Sequence, residues 1–119
     1  MQLDPFQALP LQGGFLLLRV VLSEEPMTDA IGRTALARTV IIGSTLEITL
    51  CRSNLTPSDI SISLYHEVLE AASVAALHPP VSVCEMNEAD FEAAAQQAFA
   101  RLGHATPANL NKLLVEFNF

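Results

Sequence analysis

The chain has 119 residues, half of them apolar and 16% charged, and its 13 acidic and 6 basic side chains leave a formal charge of −7. A core of this size closes as one unit, so a single domain over residues 1–119 is expected, able to fold without disulfides or a structural metal. The cations are scattered at Arg19, Arg33, Arg38, Arg52, Arg101 and Lys112, which leaves no basic stripe to follow phosphates and excludes nucleic acid as a partner.

In chain order, residues 1–13 hold Pro5, Pro10 and Gly13 with little periodicity and read as an extended N-terminal arm. Residues 15–22 form an apolar run broken by Arg19. It is too short for a membrane span and lacks a basic leader, so it reads as a central strand buried on both faces. Ser23-Glu24-Glu25-Pro26 ends it, and residues 27–38 read as a short helix begun by Thr28 or as an irregular crossing. Residues 39–42 are β-branched, Gly43-Ser44 offers a turn, and residues 45–50 alternate with period two, which predicts a hairpin or two adjacent strands.

Thr56 followed by Pro57 is a helix start, and the helix is expected to run to about Leu77, where His78-Pro79-Pro80 stops it. Ile60, Leu64, Val68, Ala71, Ala72 and Ala75 fall on one face of it, with Ser63, His66, Glu67, Glu70 and Ser73 on the other. Residues 79–86 read as a loop or short strand. Asn87 caps a helix over residues 88–102 that Gly103 ends, and Thr106-Pro107 opens a final helix with Leu110, Leu113, Leu114 and Phe117 on one stripe. Strands first and helices after predict an α+β fold: a small mixed or antiparallel sheet with helices packed on one face. Cys51 and Cys84 suit neither a disulfide framework nor a CxxC metal knuckle. Both are expected as buried, reduced thiols of a cytoplasmic protein.

The chemistry concentrates in His66-Glu67-Val68-Leu69-Glu70. Residues four apart project from one face of a helix, so His66 and Glu70 are placed to grip one ion, with Glu67 beside them and able to reach a water. The bland reading of such a pair is a solvated helix face.

Over residues 45–92 the sequence resembles the zincin metallopeptidases, in particular their gluzincin branch. Three features carry the likeness: the period-two strand at residues 46–50, the capped helix with Leu64-Tyr65-His66-Glu67-Val68-Leu69-Glu70-Ala71, and Asn87-Glu88-Ala89-Asp90-Phe91-Glu92, where Glu88 lies 22 residues after His66. The resemblance implies a zincin-like fold with residues 46–50 as an edge or near-edge strand beside the motif helix. It further implies His66 and Glu88 as metal ligands, Glu70 in place of the usual second histidine, Glu67 as general base and Glu92 as the acid that orients His66. The expected cofactor is one divalent ion, zinc first, with Mn²⁺ or Fe²⁺ as alternatives because the donor set is rich in hard oxygen. The expected activity is hydrolysis of a peptide or amide bond in a peptide or protein substrate.

The exchange of histidine for Glu70 bears on that activity. Two carboxylates already neutralise the ion's charge, so it polarises a further ligand less than in a two-histidine site. The alternative is a non-catalytic protein-interaction module on the same scaffold. Asn87, Glu88 and Asp90 also suit an ordinary helix start, a cap followed by acids at the positive dipole end. His78 suits a helix C-terminus and His104 a surface loop. Tyr65, one residue before His66, points sideways and is expected to pack rather than to face a substrate.

Overall fold

The computed structural model describes residues 3–24, 27–28, 34–35, 37–51 and 56–119, with backbone alone for 27–28 and 34–35. Its strands are β1 (Leu9–Leu11), β2 (Phe15–Ser23), β3 (Met27–Thr28), β4 (Thr34–Ala35), β5 (Ala37–Ile42) and β6 (Thr45–Cys51). Its helices are α1 (Pro57–Ala75), α2 (Val81–Cys84), α3 (Glu88–Leu102) and α4 (Pro107–Glu116). The main sheet is four-stranded and mixed, in the order β1-β2-β6-β5. β2 and β6 are parallel, and the other two pairings are antiparallel.

Period-two alternation in β6 decides which face is covered. Leu46, Ile48 and Leu50 are fully buried while Glu47 and Thr49 turn to the opposite side. In β2 the buried set runs Phe15, Leu17, Val20, an odd step that a register irregularity between Leu17 and Arg19 produces by shifting the alternation by one. Arg19 and Val21 are exposed, so this run is not buried on both faces as its composition suggests. Arg19 instead pairs with Glu47, its neighbour across the ladder, at 3.1 Å on the open face. A strand with one solvated face needs no more than every second residue to be apolar, and the surplus leucines of β2 hid that.

Residues 3–13, the described part of the N-terminal segment, do more than lead in. Asp4–Phe6 is a 3₁₀ turn, β1 adds to the sheet edge, and Phe6 and Leu11 are buried in the common core. Gly13 adopts a φ of 93°, and a Cβ there would meet the Phe15 ring at 2.9 Å, so the turn into β2 requires glycine. For residues 27–38 the structure has a strand pair, β3 with β4, and the start of β5 instead of a short helix; residues 29–33 and 36 of that segment lie outside the described residues. The 39–42/45–50 hairpin is present as expected, and β6 lies one strand in from the edge. The edge itself is β5.

Thr56 caps α1, its hydroxyl accepting from the Asp59 N–H while the Asp59 carboxylate accepts from the Thr56 N–H. The helix stops at Ala75, two residues short of Leu77, because Pro79 has no N–H to offer the Ala75 carbonyl and Pro80 none for Ala76. Val81–Cys84 then makes a single helical turn in place of a loop or strand. Helix α1 lies on β5 and β6 and packs against α3 and α4, and α4 also reaches β1. The result is a small α+β domain whose helices cover one face of a mixed sheet. Of the two thiols, Cys51 is buried but Cys84 is exposed, its Sγ 3.3 Å from the Pro80 carbonyl. No described helix is long and apolar enough to cross a membrane.

Candidate metal centre

The packing of α3 against α1 joins two segments that are far apart in sequence. Asn87 accepts from the Asp90 N–H at 2.9 Å, and Asp90 accepts from the Asn87 N–H at 3.0 Å. The cap and the N3 acid thus tie down the first turn of α3 between themselves, and Glu88 takes no part in it. Its carboxylate instead reaches across to α1, where Glu88 Oε2 lies 3.0 Å from His66 Nε2. Glu70 Oε2 lies 3.3 Å from the same nitrogen. On the other side of the ring, Nδ1 faces Glu92 Oε2 at 3.5 Å. Buried Phe91 lies against the imidazole, with ring centroids 6.3 Å apart.

One donor atom each from His66, Glu70 and Glu88 lies within 4.8 Å of the others. Two ligands at zinc distances of about 2.0–2.2 Å on adjacent corners of a tetrahedron are about 3.3–3.6 Å apart. The observed separations of 3.3 and 3.0 Å from Nε2 come within a few tenths of an ångström of that spacing. The three side chains could therefore hold a divalent ion between them, and Glu92 faces the ring's second nitrogen. The His66 side chain is 13% exposed and that of Glu88 76%, so the cluster opens to solvent on the α3 side.

Glu67 is turned about 100° around the helix from His66, towards the sheet. Its Oε2 accepts a 2.8 Å hydrogen bond from the Thr39 hydroxyl on β5. It stays outside the three-residue cluster of His66, Glu70 and Glu88.

Electrostatics divide Glu67, Glu70 and Glu88. The bond to Glu70 raises the His66 pKa to about 9, aided by the charges of Glu67, Glu70 and Glu88 and opposed by burial. Glu70 is held below the ordinary carboxylate range by that same bond. Glu88 is pushed up, first because its carboxyl hydrogen-bonds Glu70 and so favours keeping a proton between the two. Burial pushes Glu67 up, against the Thr39 bond, which lowers it.

Other candidates fall elsewhere. Tyr65 is fully buried and donates to the carbonyls of Gly103 and His104, so it packs and does not face the cluster. His104 stacks edge-on against Phe99, with Nδ1 3.3 Å from the Ser61 hydroxyl. His78 is exposed beyond the end of α1. Thr39 is the partner that sequence inspection missed. It reads as one more β-branched strand residue, and only the register of β5 against β6 and the docking of α1 bring it to Glu67.

Comparison with known proteins finds no family model, no curated protein and no solved structure that matches this chain. The likeness to zincins rests on the motif and its spacing alone.

Proposed function

We propose that the protein binds one divalent metal ion, zinc first, through His66, Glu70 and Glu88, in a zincin-like arrangement that hydrolyses a peptide or amide bond with Glu67 as general base. The observation that carries this reading is the convergence of Glu88 from α3 onto the nitrogen of His66 that also faces Glu70. When bound, the ion would supply Lewis acidity for the scissile carbonyl and for water. Glu67, bound to Thr39 through Oε2, would take a proton from the attacking water on Oε1 and pass it to the leaving amine. Glu92 would hold the imidazole by Nδ1 so that Nε2 faces the two carboxylates.

A second reading comes from the same ring. Both of its nitrogens face carboxylates, as an imidazolium would, and the group would then be an ionic tie between α1 and α3 in a non-catalytic interaction module. Metal analysis of protein purified without added metal, with zinc titration by calorimetry, separates the two. Stoichiometric zinc that disappears in both His66→Ala and Glu88→Ala supports the metal reading. An absence of zinc binding leaves the ionic tie.

A further inference from the structure

We infer that Thr39 is a positioning residue for Glu67, holding its carboxylate from the edge strand so that one oxygen is fixed and the other is left to move a proton. The inference rests on the hydrolytic reading above and concerns how that site is oriented. Each of the other three acids is anchored by the histidine: Glu70 and Glu88 by Nε2, Glu92 by Nδ1. Glu67 is anchored instead by the sheet, through a 2.8 Å bond between residues 28 positions apart.

The anchor is rigid for two reasons. Threonine is β-branched, so few χ1 rotamers are open to it and the hydroxyl direction is narrowly set. The strand beneath it is fixed by its ladder to β6, where Thr39 stands opposite fully buried Ile48. Within β5 the half-buried residues Ala37, Thr39 and Ile41 alternate with exposed Arg38, Val40 and Ile42. A one-residue slip of β5 would therefore turn the hydroxyl away from α1. The bond uses Oε2, and among the described residues no donor is bonded to Oε1. Without Thr39 the glutamate side chain regains rotamers, and misplacing a base by about an ångström is enough to lose its contribution.

The test uses zinc-loaded protein and acetohydroxamate, which binds the ion and bonds through its hydroxyl to a carboxylate beside it. Affinities are measured by calorimetry for wild type, Thr39→Val, Thr39→Ser and Glu67→Ala, and for Glu67→Ala combined with Thr39→Val. Thr39→Val is isosteric and suits a strand, so the fold is retained, and Thr39→Ser restores the hydroxyl. The expected result is unchanged zinc affinity in Thr39→Val and Thr39→Ser, which keep the Glu67 charge beside His66. Thr39→Val should weaken acetohydroxamate about tenfold, Thr39→Ser should stay within about twofold of wild type, and Thr39→Val should have no further effect once Glu67 is alanine. Wild-type acetohydroxamate affinity in zinc-loaded Thr39→Val, or an equal loss with and without Glu67, would overturn the inference and leave the metal reading standing. Failure of the wild-type chain to take zinc would overturn the metal reading itself, and this inference with it.

Discussion

Zinc binding should be strongly pH-dependent, because the proton on His66 competes with the ion. In the metal-free protein the neighbouring carboxylates raise the His66 pKa to about 9, well above the ordinary histidine value near 6.5. At pH 7 the group is about two units below that value, so roughly one molecule in a hundred has Nε2 free to ligate. Apparent affinity should then rise about tenfold per pH unit between 7 and 9 and level off above. The assay is calorimetric titration across that range. Repeating the pH 7 titration in buffers of different ionisation enthalpy should show about one proton released per zinc. The metal-free protein carries the matching signature in stability. The folded pKa of His66 is raised, so its contribution is fully present below about 6.5 and is lost as pH rises through about 9. Because exposed carboxylates share in it, its size is on the order of 1–2 kcal/mol after solvent screening. A zinc affinity that is flat from pH 7 to 9 would refute the reasoning, since it would mean that His66 is either not a ligand or not held protonated by its acids.

Three further outcomes are expected. Glu70→His should rebuild a two-histidine, one-carboxylate set and tighten zinc binding, and the gain should vanish with Glu88→Ala, as calorimetry on the four proteins would show. Tyr65→Phe removes the donor that serves the Gly103 and His104 carbonyls and should lower unfolding free energy by about 1–2 kcal/mol in urea, with zinc affinity untouched. Phe6→Ala should cost about 3–5 kcal/mol in the same measurement, because Phe6 is 1% exposed; a loss under about 1 kcal/mol would return residues 1–13 to the status of a loose arm.

Local chemistry determined much of this protein. Thr56 with Pro57, Asn87 with Asp90, and Thr106 with Pro107 set three helix starts, because a capping side chain satisfies backbone N–H groups within its own turn and needs nothing from elsewhere. The alternation of residues 45–50 marked a strand with one buried face, and the i,i+4 spacing put His66 and Glu70 together. Long-range packing determined the rest. Nothing local distinguishes Phe6 in a proline-bearing segment as core, or shows that β5 and not residues 46–50 forms the edge beside α1, since strand order depends on which pairs of strands meet. The same holds for the site. Spacing marked Glu88 as a candidate, but a glutamate at the first turn of a helix is equally suited to solvent, and only the packing of α3 on α1 turned it onto His66. Thr39 carried no signal at all, because its role exists only where a strand register and a helix face coincide, and a single stretch of chain encodes neither.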